Sequence, residues 1–217
     1  MSIKENQLAE LAAQLEKCSS CHLRGDCRAP VGWYGCPDSP IVFIGEGPGG
    51  VEDDYGCPLI GPSGQLLDKA LWSVQMTRDR VLTSNIVKCR PKGNRTPDLA
   101  EADYCAKIWL ERELAILQPR VIVALGSVAM HYLGDPAMRI TRQRGKWFKR
   151  LRATTASPPS THRTFYASTA TPRSRPSGMS TTTCSWPGPK PWKPARIITC
   201  ARINRQTCSP YLRKEYN

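Results

Sequence analysis

The alternation of strand-like and helix-like segments in this sequence stops near residue 150, and that break limits what the chain can fold into. Before it, short apolar runs alternate with amphipathic ones. Leu8 to Leu15 reads as a helix, Pro40 to Ile44 as a buried strand, Gly64 to Val74 as a helix and Val81 to Ile86 as a strand. Leu99 to Leu117 (helix), Val121 to Leu125 (strand) and Val128 to Leu133 (helix) follow. Strands separated by helices predict a parallel sheet covered on both faces. The expected fold is α/β, a three-layer α/β/α sandwich around a central parallel sheet of about four strands. In such sheets ligands sit beyond the carboxyl ends of the strands, so chemistry is expected just after Ile44 and around Val81 to Ser84.

The rest of the chain has another character. Residues 1–150 hold 20 Lys+Arg against 17 Asp+Glu, whereas residues 151–217 hold 11 against one, Glu215, so the net charge of +13 divides into +3 and +10. That last third contains 28 Ser, Thr or Pro among 67 residues, too little apolar surface to offset its ordering entropy. It is expected to be a disordered basic tail behind a domain at 1–150. No run of about 18 apolar residues is present and the first 17 residues are polar, so neither a membrane span nor secretion is expected and the compartment is taken as cytoplasmic. Ten cysteines in such a chain point to metal or cluster ligation rather than disulfides.

Three sets of residues could carry chemistry. The first strand runs into Gly45-Glu46-Gly47-Pro48-Gly49-Gly50, a carboxylate on a turn whose glycines allow close backbone approach to a ligand. Gly45, Gly47 and Gly50 fit a dinucleotide-type Gly pattern, but Pro48 removes a donor and Glu52, Asp53 and Asp54 would repel a pyrophosphate. A plain structural turn fits equally well. After the second strand, Asn85 offers a donor and an acceptor that could read a pyrimidine edge, although a turn or cap role fits too. Cys18-x-x-Cys21 with Cys89 and Cys105 could complete a four-thiolate site for either an iron-sulfur cluster or zinc. Cys27, Cys36 and Cys57 fall outside that pattern and read as small packing residues.

Taken in order, these motifs resemble the family 4 uracil-DNA glycosylases. Gly45-Glu46-Gly47-Pro48-Gly49, then Glu52-Asp53, Gly56-x-Pro58, Gly61 and Gly64-Gln65-Leu66-Leu67, is similar to the family's first motif. Thr83 to Pro91 resembles the next block, and Arg144-Gly145-Lys146-Trp147 the approach to the last. The resemblance covers roughly residues 8–150. It implies a monofunctional base-excision-repair enzyme that flips uracil from DNA and hydrolyses its N-glycosidic bond, leaving an abasic site. It further implies that Glu46 is catalytic, assisting the water or the cationic sugar, and that Gly45, Gly47, Leu59 and Asn85 form the uracil pocket. Asn85 would contact the base edge. Leu59 stands where the family has a stacking Phe. Cys18, Cys21, Cys89 and Cys105 fall where the family binds a 4Fe-4S cluster, a structural or DNA-positioning group here. Glu52 matches another motif acid with a structural role. The expected partner is uracil-containing DNA, bound by a monomer without any membrane.

The family's last motif, a His-Pro-Ser-Tyr-Leu-Leu-Arg type segment whose histidine would stabilise the departing uracil, does not occur. His162 lies close to its expected place, in Ser160-Thr161-His162-Arg163-Thr164-Phe165-Tyr166-Ala167. Back-translating these residues and reading the third base of each codon with the first two of the next permits His-Pro-Ser-Tyr-Leu-Leu-Arg in order. A one-base insertion or deletion between about Lys149 and Ala153 would thus put the remainder out of frame. The last strand and helix would then be missing, and stability and activity reduced. A basic Ser/Pro-rich arm that contacts phosphates is the other reading of the tail. It would suit a non-catalytic iron-sulfur protein that binds nucleic acid, the alternative to an enzyme. His22 and His131 read as non-ligands, and Arg142, Arg144 and Lys146 as phosphate contacts or solvated charge.

Overall fold

The structure of the protein, a computed structural model, describes residues 3–149 and 163–167. Its strands are β1 (Tyr34–Gly35), β2 (Ile41–Gly45), β3 (Leu82–Asn85), β4 (Val121–Leu125), β5 (Trp147–Lys149) and β6 (Arg163–Ala167). They form one sheet in the order β1-β3-β2-β4-β6-β5. The four inner strands, β3, β2, β4 and β6, are mutually parallel, and the short edges β1 and β5 are antiparallel. The parallel core therefore has the strand number expected from the sequence.

Alternation along the strands divides the core into two layers. Val42 and Ile44 of β2, with Ile122 and Ala124 of β4, face one cluster, while Val123 and Leu125 face the other. The first layer is covered by α1 (Ile3–Glu16), α4 (Leu99–Cys105), α5 (Glu111–Leu117) and α6 (Ser127–Leu133). Leu8, Leu11 and Leu15 form the buried stripe of α1 at helical spacing. The opposite layer is covered by α3 (Pro62–Ser73), through Leu67 and Leu71. Two short helices, α2 (Gly50–Tyr55) and α7 (Ile140–Gln143), complete the set. The three-layer sandwich is thus as expected.

Two segments differ from the simplest reading. Leu99 to Leu117 is helical throughout, but Ala106–Leu110 between α4 and α5 is a π-type turn, beginning directly after Cys105. Such bulges are rare and concentrate at functional positions. The fourth parallel strand is made by Arg163–Ala167, paired with Val121–Leu125, so a strand stands where one was expected to be missing. Thr164, Phe165 and Tyr166 are strand-favouring residues. The expected disorder of the tail, its missing helix and His162 fall outside the described residues.

Successive crossovers place β3 on one side of β2 and β4 on the other. The loop after β2 thereby opens where strand order switches, the usual place for a ligand in such a sheet. No described helix is long and apolar enough to cross a membrane.

Candidate active site

Residues Gly45 and Asn85 end adjacent parallel strands and are paired in register. The pairing continues past the strand ends, with the Ile86 amide donating to Gly45 O at 2.9 Å and the Val87 amide to Glu46 O at 3.1 Å. The loops leaving β2 and β3 consequently start side by side. A Cβ placed on Gly45 would lie 2.5 Å from Asn85 Oδ1 and 3.2 Å from Leu59 Cδ2, and one on Gly47 would lie 2.6 Å from Val87 Cγ2. Only glycine leaves room for those side chains. Gly45, Leu59 and Asn85 therefore meet at one point, with Gly47 beside it.

Asn85 is fully buried, and neither its Nδ2 nor its Oδ1 has a hydrogen-bond partner among the described residues. Each orphaned buried group costs about 1–3 kcal/mol, so a fold that keeps both has reserved a donor and an acceptor side by side. Leu59 carries strain of another kind, a left-handed φ of 55° that is unusual for a bulky L-residue. Its carbonyl accepts from Arg78 Nη2 at 2.6 Å. Arg78 also donates to Gly64 O and pairs with Asp68. A Cβ at Gly64 would collide with Leu59 O at 1.8 Å, so the neighbours hold Leu59 in its conformation.

Glu46 begins the loop after β2 and is half-buried. Burial pushes its carboxyl above the ordinary carboxylate range, and a hydrogen bond from the Thr96 hydroxyl partly offsets this. Glu52 is engaged differently. Its two oxygens accept from the amides of Gly49 at 3.1 Å, Ile60 at 3.1 Å and Gly61 at 2.8 Å. That carboxylate folds the Gly49 to Gly61 segment onto itself and brings Leu59 over Gly45, a structural task.

Cys18, Cys21, Cys89 and Cys105 line one small open pocket. Three separate parts of the chain supply these thiols. Cys105 Sγ accepts from the Lys88 amide at 3.3 Å. Burial pushes the Cys105 thiol up to about 11, opposed by the Lys88 amide and ammonium. Cys89 is pushed up as well, first by burial and then by Cys27, Cys105 and Cys21. Cys27, set aside by sequence reasoning, thus lies close to Cys89; its spacing of six from Cys21 was the one available hint. Among the described residues no three His, Cys, Asp or Glu side chains converge closely enough to hold a single metal ion.

Sequence reasoning also missed a buried polar triad. Lys88 Nζ donates to Ser84 Oγ at 2.7 Å and to Glu113 Oε2 at 2.8 Å, and Ser84 Oγ donates to the same oxygen at 2.7 Å. Lys88 and Glu113 side chains are each only 1% exposed. His22 Nε2 lies 2.5 Å from Glu101 Oε1, and His131 Nε2 lies 2.9 Å from Met138 O. Both histidines thus have partners outside the thiol set. Arg142, Arg144 and Lys146 are exposed.

A family model described as the uracil DNA glycosylase superfamily matches residues 33–192. The chain is similar to a type-4 uracil-DNA glycosylase of Thermotoga maritima, 38% identical over 146 residues that make up 67% of this chain and 76% of that protein. Similar matches are the type-4 uracil-DNA glycosylases of Sulfurisphaera tokodaii, 34% identical over 65% of this chain and 66% of that protein, and of Pyrobaculum aerophilum, 34% identical over 65% and 74%. On these matches, the chain belongs to the uracil-DNA glycosylase superfamily.

Proposed function

We propose that the protein is a uracil-DNA glycosylase of base excision repair, which hydrolyses the bond between C1′ of deoxyuridine and N1 of a flipped-out uracil. The observation that carries this is the buried amide of Asn85, whose donor and acceptor both lack partners beside Gly45 and Leu59. Uracil presents the complement, an N3–H that donates to Oδ1 and an O4 that accepts from Nδ2. The hydrogen bond to O4 strengthens as negative charge spreads over the departing base, so it lowers the barrier rather than only binding substrate. The bond electrons leave with N1, and water adds its oxygen to C1′. Glu46 in its ionised form stabilises the cationic sugar or accepts the proton of that water. The products are free uracil and an abasic site.

The thiols of Cys18, Cys21, Cys89 and Cys105 would hold a 4Fe-4S cluster. The donor set fits it: four thiols border one pocket, and an amide already donates to Cys105 Sγ. A bound cluster would supply positive charge that stabilises thiolates which otherwise oppose one another, tying three chain segments together. Cys89 is four residues from Asn85, so a structural tie at the first steadies the second.

The tail belongs to this proposal too. Residues 1–150 form most of the glycosylase domain, with Arg163–Ala167 adding a strand to its sheet, and residues 151–217 are read out of frame, which removes the histidine that would stabilise leaving uracil. The coding DNA tests the frame directly: the shifted frame stays open well beyond codon 217, and an early stop there would sink it. Activity is tested on a labelled single-stranded oligonucleotide, as alkali-sensitive cleavage at uracil beside a thymine control. Cleavage at uracil alone is expected from a frame-restored chain, and weaker cleavage from this one. Failure of both would favour a non-catalytic iron-sulfur protein that binds nucleic acid.

A further inference from the structure

The peptide that joins Leu59 to Ile60 is gripped at both of its polar ends by charged side chains. Its carbonyl, Leu59 O, accepts from Arg78 Nη2 at 2.6 Å, and its amide, Ile60 N, donates to Glu52 Oε1 at 3.1 Å. Hydrogen bonds to ionised groups such as these are stronger than neutral ones. Arg78 reaches the peptide from the short helical turn Arg78–Arg80 between α3 and β3. The same Nη2 donates to Gly64 O in the first turn of α3 at 2.9 Å, and Nε donates to Asp68 Oδ1 one turn further along that helix. The Arg78 side chain is 13% exposed, and its Nη1 has no partner among the described residues. A buried donor is thus left unused while Nη2 serves two carbonyls. Leu59, held between the two grips, is buried at its left-handed φ of 55°, with Cδ2 against Gly45 beside the Asn85 amide.

We propose that Arg78 is a positioning residue for the base pocket, acting through Leu59 rather than on the base: it holds the Leu59 carbonyl so that the side chain forms an apolar wall against Gly45 and Asn85. The assignment rests on the reading of Gly45, Leu59 and Asn85 as the uracil pocket. A bulky L-residue left to itself leaves the left-handed region, where its Cβ crowds the following carbonyl. Relaxation of that kind would swing the Leu59 side chain off Gly45. Glu52 alone does not prevent it, because a planar peptide held only at its N–H can still swivel about that bond, whereas a second grip on the C=O fixes the plane. Gly64 completes the seat, since a Cβ there would lie 1.8 Å from Leu59 O. A staple that merely tied α3 to the turn before β3 would need only the Asp68 pair. The bond to the carbonyl of one strained residue is what that task leaves unexplained.

The test uses the full-length protein and its Arg78→Met, Arg78→Lys, Leu59→Gly and Arg78→Met/Leu59→Gly variants. Single-turnover excision of uracil from a labelled oligonucleotide is followed against the concentration of folded enzyme, which separates the half-saturating concentration from the limiting rate. Arg78→Met keeps an unbranched stem without the donors. It is expected to raise the half-saturating concentration roughly tenfold, as apolar contact with the base is given up, with the limiting rate within about twofold. A merely destabilised protein would lose folded enzyme and leave the half-saturating concentration of the remainder unchanged. Arg78→Lys keeps a cation able to reach one of the two carbonyls, so its rise is smaller, and it carries the test if Arg78→Met does not fold. In Leu59→Gly the wall is gone and glycine takes the left-handed φ freely, so adding Arg78→Met raises the half-saturating concentration no further. An unaltered half-saturating concentration in the Arg78 variants, or a double variant in which the two effects multiply, overturns the proposal. If the parent chain excises no uracil, the glycosylase reading fails, and methyl NMR alone decides. The nuclear Overhauser contact between the Leu59 δ-methyls and the Gly45 α protons, assigned by its loss in Leu59→Gly, then weakens in the Arg78 variants if Arg78 places Leu59, and an unchanged contact refutes it.

Discussion

The Gly45–Leu59–Asn85 cluster and the cysteine pocket border the same short segment, Asn85 to Cys89, yet they are held in opposite ways. Gly45 and Asn85 are placed by parallel strand pairing, and Leu59 is locked over them by Arg78, Gly64 and Glu52. That arrangement is set by the protein's own packing, and it leaves a buried amide without partners among the described residues. The cysteine pocket is assembled from the loop after α1, the loop after β3 and the end of α4, and its buried thiols oppose each other's ionisation. The first site is an outcome of the sheet. The second, on the proposed reading, would stabilise the fold only with a cluster bound between its walls.

Breaking the hinge between the two sites should have the largest effect. Glu113→Ala leaves Lys88 buried without its carboxylate, which costs about 3–5 kcal/mol and should unsettle Asn85 and Cys89 together. Replacing both partners in Lys88→Met/Glu113→Leu should recover most of the melting temperature, because well-packed apolar residues match a buried pair. Thermal melts of the single and double variants check this, and a double variant as unstable as the single would show that the segment needs the charges themselves.

Asn85→Ala separates the sites instead. Removing a group that hydrogen-bonds a developing charge should lower the rate of uracil excision about 10²–10³-fold. Its melting temperature should stay level or rise, since the amide lacks a partner in the free fold. A variant that loses both activity and several degrees of stability would mean that Asn85 is a structural residue. Leu59→Phe should act in the reverse direction by a smaller amount. An aromatic ring stacks on a base with about 1–3 kcal/mol, so KM for a uracil oligonucleotide should fall, measured by steady-state excision. The strained φ is unaffected, because Leu and Phe incur the same penalty there.

How legible these features were in the sequence follows from their physics. The apolar periods of Leu8 to Leu15 and Val121 to Leu125 gave the elements, because burial on one face or two is written in spacing. Gly45, Glu46, Gly47 and Asn85 were visible as residue types at strand ends, and the fold brings Gly45, Asn85 and the distant Leu59 together. Thr96, Glu113 and the proximity of Cys27 to Cys89 were not legible, since each depends on which loop lies against which in three dimensions. Lys88 was not legible either: only its partner 25 residues later explains its burial. The strand at Arg163–Ala167 was hidden by its setting, since its β-favouring residues lie within a tail that has no other periodicity.

The smallest expected effect concerns the clamp between the cysteine loop and α4, and its sign is fixed by Glu101. Arg95 first, then the Asp98 amide and His22, hold that carboxyl at about 2, below its ordinary 4.5. A depressed folded-state pKa contributes stability that is present above about pH 4.5 and disappears as pH falls towards 2. Arg95 is exposed, so solvent screens part of this. Glu101→Gln keeps the side-chain length and most hydrogen-bonding capacity while removing the charge. Its melting temperature should lie below the parent's at neutral pH, by a margin that narrows steadily as pH drops from 5 to 3. Iron retained after dialysis should fall in the same variant, because His22 is then held less firmly next to Cys21. A gap that is independent of pH would assign the clamp to neutral hydrogen bonding. Full iron retention would detach the clamp from the cysteine pocket.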